Sequence, residues 1–381
     1  MPILRTRSGR SYRKSCALVL QGGGALGSYQ AGVYEALAAG RYMPDWVAGI
    51  SIGAINAALI AGNAPEHRVS ALRAFWDEIT KPSAGWPKMD SDPWRLIRQH
   101  FGAANSLLFG QPGFFQPRPG LEWLLGESPI SYYDTTALRH SLERLVDFDR
   151  INDHGGNGHM RLSVGAVDVA TGNFAYFDSA HQRIMPEHVM ASGALPPGFP
   201  PVEIDGAQYW DGGLVSNTPL QYVLDSTPRT DTLAFQVDVF PARGPVPKNL
   251  DEVAEREKDI RYSSRTRAGT DAFGEKHQLR RMINAVLAKL PPELKNDPDV
   301  LALADKSCTT TMDVVHLIYH PAEPQGAYKD FEFSRPTMVE RWAAGKADAE
   351  AALVVEPWLE DHGAHVGLRA FDPHRAARER H

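Results

Sequence analysis

Hydrophobic and polar positions follow two periods along the chain, and the change from one to the other predicts most of its elements. Cys16–Leu20 (CALVL) is a short unbroken apolar run, as expected for a strand buried on both faces. Gln21 and the glycines after it end that run. Ser28–Ala39 then places apolar residues at helical spacing, with Gly40 as its stop. Trp46–Ile50 predicts a second strand, and Ile52–Ile60 a helix of small residues ending near Gly62. Strand, turn and helix, repeated twice within about 45 residues, is the signature of a parallel α/β layer.

Further along, the pattern predicts a helix over Leu138–Val146 and strands over Arg161–Val169 and Asn173–Phe177, joined by a Thr171-Gly172 turn. A short helix at His188–Ser192 precedes the proline-rich segment ALPPGFPPV. Gln208–Trp210, Thr232–Phe240 and Val314–Tyr319 read as strands, and Pro336 suits the first turn of a last helix running towards Val355. Residues 81–130 break the pattern: Trp86, Trp94, Phe101, Phe109, Phe114, Phe115 and Trp123 stand among Pro and Gly, as in an insertion. Residues 241–311 are charged and helical in pattern, with Arg261, Arg265, Arg267, Arg280 and Arg281 prominent. The expected class is α/β, a three-layer α/β/α sandwich around a mostly parallel sheet. Its plan is a flexible basic arm over 1–15, a catalytic domain over 16–225 containing the insertion, and an extension over 226–381 that packs on that domain.

Composition narrows the partners. The 381 residues carry 40 Lys plus Arg against 46 Asp plus Glu, a net charge of −6, so no basic footprint for nucleic acid is present. Two cysteines, Cys16 and Cys308, make no disulfide framework. Arg5, Arg7, Arg10, Arg13 and Lys14 resemble a signal-peptide start, but the apolar run that follows is too short, so no secretory signal is expected. The same cations could attract anionic headgroups. No stretch approaches the ~20 apolar residues of a membrane span. A cytoplasmic protein is expected, with peripheral membrane contact open to it. No His/Cys cluster has zinc spacing and no calcium loop occurs, so neither metal nor cofactor is expected. Nothing in the sequence bears on oligomeric state.

Three glycine clusters carry the chemistry. Gly22, Gly24 and Gly27 fit G-x-G-x-x-G between a strand and a helix, which exposes backbone N–H groups to any anion, phosphate or oxyanion. A dinucleotide site would put an acid at the end of the second strand. That strand instead ends in Gly49-Ile50-Ser51-Ile52-Gly53, a G-x-S-x-G nucleophile elbow whose helix N-terminus aims positive charge at Ser51. A serine needs a base. Fourteen histidines, among them His154, His159, His181, His188, His316 and His320, keep a histidine base open. Asp211-Gly212-Gly213, directly after an apolar strand end, is the better candidate, although Asp-Gly is also an ordinary turn.

GGGALG, GISIG and DGG, in that order across residues 16–225, resemble the patatin-like phospholipase family. The resemblance implies a dyad of Ser51 as nucleophile and Asp211 as base. It also implies an oxyanion hole at Gly22, Gly23 and Gly24, with Gly27, Gly49, Gly53, Gly212 and Gly213 shaping the turns. The reaction implied is hydrolysis of carboxylic esters of lipids through an acyl-enzyme. On this reading the aromatic insertion is an acyl-pocket wall or lid, or simply packs on the core. One departure is Leu26, where many members carry Arg or Lys. The alternatives are an esterase or acyltransferase on soluble esters with the same site, a nucleotide-binding protein, and a silent lipid-binding scaffold.

Overall fold

The computed structural model describes residues 4–5, 11–12, 14–40, 42–81, 102–104, 106–118, 129–156, 158–321, 324–360 and 366–373, with backbone only at 4–5, 11–12 and 264–268. Of the expected features, Trp86, Trp94, Phe101, Trp123, Arg7, Arg10 and Arg13, and the side chains of Arg5, Arg265 and Arg267, lie outside the described residues.

One sheet organises the chain. Its strands are β1 (Ser15–Leu20), β2 (Trp46–Gly49), β3 (Arg161–Asp168), β4 (Phe174–Asp178), β5 (Val202–Ile204), β6 (Ala207–Asp211), β7 (Thr232–Asp238), β8 (Met312–Ile318) and β9 (Leu368–Phe371). They lie in the order β9-β8-β7-β1-β2-β3-β6-β5, with β4 along the other edge of β3. Neighbours from β9 to β3 run parallel, while β4 and β6 are antiparallel to β3, and β5 to β6. The expected mostly parallel sheet is present. β5 and β9 are additions to it.

Eight helices matter for the site: α1 (Gly27–Ala39), α2 (Ile52–Ala61), α3 (Arg68–Ile79), α4 (Thr136–Leu145), α5 (Pro186–Ser192), α6 (Leu220–Asp225), α7 (Leu250–Leu287) and α8 (Arg335–Val355). Strand alternation sorts them into two layers. Leu18, Leu20, Phe235, Val237, Val315 and Leu317 pack with residues of α1, α2, α3 and α8. Their neighbours Ala17, Val19, Ala234 and Val314 pack instead with Leu220, Val223 and Leu224 of α6 and Phe273 of α7. Because both faces are covered, the central strands read as apolar runs.

The expected boundary near 225 falls inside this sheet. β7 pairs with β1 on one side and β8 on the other, so the region after 225 supplies three strands rather than an extension beside a finished sheet. Where the basic arm is described, Leu4–Arg5 pairs with Ser11–Tyr12 within the arm itself, and Lys14 meets the buried Asp313 carboxylate at 2.7 Å. Among the described residues, no helix is long and apolar enough to cross a membrane.

Candidate active site

The glycine loop, the serine elbow and the segment after β7 all leave the carboxyl ends of parallel strands, where open α/β sheets carry their clefts. Ser51 sits between β2 and α2 with φ 54° and ψ −124°, a conformation that costs a non-glycine residue about 1–3 kcal/mol. Its surroundings hold that turn. The Ser51 amide donates to the hydroxyl and carbonyl oxygens of Ser192, at 3.1 and 3.2 Å. The Ser192 hydroxyl in turn donates to the Gly165 carbonyl at 2.6 Å. Gly49 ends β2, and a side chain at Gly53 would overlap the Leu20 carbonyl, so the elbow lies directly against the end of β1.

β3 brings the acid to the serine. β2 lies along one edge of β3 with Gly49 opposite Val164, and β6 comes from the other direction along that same edge with Asp211 opposite Ala166. The two strand ends therefore meet at Gly165. A Cβ at Gly212 would stand 2.6 Å from the Gly165 carbonyl, so this crossing needs glycine. Asp211 is only 2% exposed. Its carboxylate accepts the Gly213 N–H at 2.7 Å, and the Ser51 side chain is its second polar neighbour. Burial pushes the Asp211 pKa up to about 6, against the pull of those two groups. A carboxylate with that pKa is a stronger base than an exposed one and is still ionised at neutral pH.

The glycine loop folds over the serine. A Cβ on Gly22 would overlap the Asn217 side-chain oxygen and stand 3.1 Å from the Ser51 Cβ. Asn217 holds both sides of that peptide, its carbonyl accepting from Gly22 N at 3.1 Å and its Nδ2 donating to Gly22 O at 3.0 Å. The Gly22 N–H is therefore engaged, which narrows the expected three-glycine hole. Among the described residues, the Gly23 and Gly24 amides have no acceptor. Gly24 has φ 54°, and any side chain there would run into the Asp330 carbonyl. Gly27 opens α1 where a Cβ would collide with Ile52. Leu26, which departs from the Arg or Lys of many members, is fully buried in the core.

These groups line one open cleft. Leu195, Phe114, Phe115, Phe199, Phe240 and Tyr262 provide much of its wall. Phe114 and Phe115 come from the insertion and belong to core and cleft at once. Asp330, Phe331 and Phe333 arrive on a strap that sequence reasoning missed. Ion pairs with α7 secure it: Lys329 meets Asp259 at 2.6 Å and Glu255 at 3.1 Å, all buried, and Lys258 meets Asp330 at 2.7 Å. A Phe-Glu-Phe alternation at 331–333 was the available hint.

No histidine is among the described residues lining this cleft. His188 accepts the Met185 N–H at the start of α5 and packs on Phe177. His316 lies in β8, 3.9 Å from Asp238, and His154 meets His159 edge to face. In the basic segment, Arg261 pairs with Glu257, Arg280 with Asp225, and Arg281 donates to the Thr309 and Thr310 carbonyls. Among the described residues, no group of three His, Cys, Asp or Glu side chains could hold a metal ion.

Comparison with known proteins adds the family. Similar solved structures include VipD from Legionella pneumophila (14% identity over 93% of this chain and 70% of that one, TM-score 0.40). Human GIVD cytosolic phospholipase A2 gives 11% identity over 90% and 59%, with a TM-score of 0.36. ExoU, in its complex with SpcU from Pseudomonas aeruginosa, gives 16% over 77% and 60%, with a TM-score of 0.28. No curated protein matches the chain. The family model described as patatin phospholipase matches residues 260–365, and the model described as patatin-like phospholipase matches residues 18–224. Since the second match runs over more than half the chain and through all three glycine clusters, the chain belongs to the patatin-like phospholipase family and is a lipid acyl hydrolase.

Proposed function

We propose that this protein hydrolyses carboxylic esters of lipids through a Ser51–Asp211 dyad and an acyl-enzyme. The observation that carries the reading is the convergence of the Ser51 side chain and the buried Asp211 carboxylate on one cleft, beside two unengaged glycine amides. Asp211 takes the Ser51 proton as the hydroxyl oxygen attacks the ester carbonyl. The Gly23 and Gly24 amides stabilise the oxyanion, helped by the N-terminus of α2. Asp211 then returns the proton to the leaving alcohol, and Ser51 keeps the acyl group. Water, deprotonated by Asp211, attacks that ester, and the fatty acid leaves as Ser51 recovers its proton.

The aromatic wall of Phe114, Phe115, Phe199 and Phe333 supports an acyl chain as the group bound. Leu108 and Phe109, each 69% exposed just before that wall in the chain, support peripheral contact with a lipid surface. The test is fluorophosphonate labelling of wild type, Ser51→Ala and Asp211→Asn. Labelling that survives Ser51→Ala unchanged removes the nucleophile assignment, and full esterase turnover in Asp211→Asn removes the base.

A further inference from the structure

The cleft lining divides by chemistry. Leu195 and the rings of Phe114, Phe115, Phe199 and Phe333 offer only apolar surface, and the last ring lies 5.9 Å from Phe114 and 6.4 Å from Phe115. Beyond the dyad, its glycine loops and Asn217, two polar tips stand in the lining beside the Phe240 and Phe331 rings, the Tyr262 phenol and the Asp330 carboxylate. Both come from the region after residue 225. Tyr262 leans on Phe240, with ring centroids 4.9 Å apart and planes at 30°. Its carbonyl is held by Gln21 Nε2 at 3.3 Å. Lys258 occupies Asp330 Oδ1, and among the described residues nothing bonds Asp330 Oδ2 or the Tyr262 hydroxyl.

We propose that Tyr262 and Asp330 form the subsite for the alcohol half of the substrate, and that this alcohol is an uncharged polyol, as in an acylglycerol. The inference rests on the Ser51–Asp211 reading above. A hydroxyl is donor and acceptor at once, so a phenol that donates and a carboxylate that accepts match neighbouring hydroxyls of a glycerol. Tyr262 stays protonated, because burial and then the charges of Asp330 and Asp211 raise its pKa. A phosphodiester in the same place would face the Asp211 and Asp330 carboxylates with the Lys258 cation already paired to Asp330, a net negative charge in a partly buried cleft, which is unfavourable. At position 26 the glycine loop offers a buried leucine and no further cation.

Monoolein, methyl oleate and oleoyl-lysophosphatidylglycerol, presented in the same neutral detergent micelles, carry one acyl chain on three alcohols. Wild type should favour monoolein over each of the others by about tenfold in kcat/KM, the effect of one net hydrogen bond. Tyr262→Phe and Asp330→Asn should each bring the monoolein to methyl oleate ratio towards one, mainly by raising KM. Lysophospholipid turnover equal to or above that of monoolein, or an unchanged ratio in Tyr262→Phe, overturns the subsite. Asp330→Asn also weakens the Lys258 bond, whereas Tyr262→Phe keeps the Phe240 contact and so carries the test alone if the other fails to fold. Fluorophosphonate labelling of Ser51 runs alongside. Labelled enzyme without substrate preference removes only the subsite, while unlabelled enzyme that hydrolyses none of the three removes the dyad with it.

Discussion

Replacing Asp211 by Asn should make the protein inactive and more stable, and the gain should depend on pH in a defined direction. The Asp211 carboxyl goes from an ordinary value of 3.8 in the unfolded chain to about 6 in the fold, because burial disfavours its charge. Between those values the folded state holds a proton that the unfolded chain has lost, so stability falls as pH rises. The gap corresponds to about 3 kcal/mol at neutral pH, with about half of it present at pH 5 and nearly all above pH 7. Asn fits the same space. Its amide oxygen accepts the Gly213 N–H, its nitrogen donates to the Ser51 oxygen, and no buried charge remains. With an unfolding entropy of about 2.1 cal/mol/K per residue, 381 residues give about 0.8 kcal/mol/K, so Tm should rise by about 4 °C at pH 8 and about half that at pH 5. Thermal denaturation of the two proteins from pH 5 to 8.5 measures this, since other titrating groups cancel in the difference. A difference that is flat with pH, or a destabilised variant, would refute the account of Asp211 as a buried, costly charge. Ester turnover should drop by about 10³-fold or more.

For the wild type, kcat/KM on a soluble ester should rise about tenfold per pH unit below 6 and level off above it, as Asp211 loses its proton. A profile that is flat from pH 5 to 7 places the base elsewhere. Gly24→Ala meets both a φ of 54° and the Asp330 carbonyl, and should lower kcat by about 10²-fold through the displaced oxyanion amides. Lys329→Met leaves Glu255 and Asp259 buried without their cation, and should lower stability by about 3–5 kcal/mol in urea unfolding. Surviving folded enzyme should lose turnover as the strap loosens from the glycine loop.

The parts of the fold that sequence made legible are those where burial is complete. β1, β2 and β7 are covered on both faces, so they appear as unbroken apolar runs, and their glycine-rich exits mark the turns to helices. β5 and β9 are edge strands of three and four residues with mixed burial, which leave neither alternation nor a run to detect. Ser51 stood out because it lies in a strained turn flanked by glycines, and Asp211 because its Asp-Gly-Gly comes third in the order of glycine clusters. Ser192, Asn217, Tyr262 and Asp330 did not. They sit in ordinary helix, loop and strap segments, and their roles arise from contacts with residues 141 to more than 300 positions away in the chain. No local period encodes such distances.

That contrast explains how a loop of glycines can serve as a rigid donor. Three consecutive glycines lose more freedom on ordering than any other residues, of the order of 1–2 kcal/mol each, so the loop cannot hold its own shape. Stabilising an oxyanion requires amides fixed before the charge appears. Gln21, fully buried immediately before the loop, supplies part of the restraint. Its side chain accepts from Val239 N and Phe240 N at 2.7 and 3.0 Å, and donates to the Thr218 hydroxyl at 3.1 Å and the Tyr262 carbonyl at 3.3 Å. Asn217 clamps Gly22, and the Asp330 carbonyl closes against Gly24. Each restraint comes from chain beyond the DGG turn, and those from residues 239, 240, 262 and 330 come from beyond position 225. The glycine loop therefore has a defined geometry only once β7, α7 and the strap have docked, which is why a polar glutamine is kept dry at the one point where all of these elements meet.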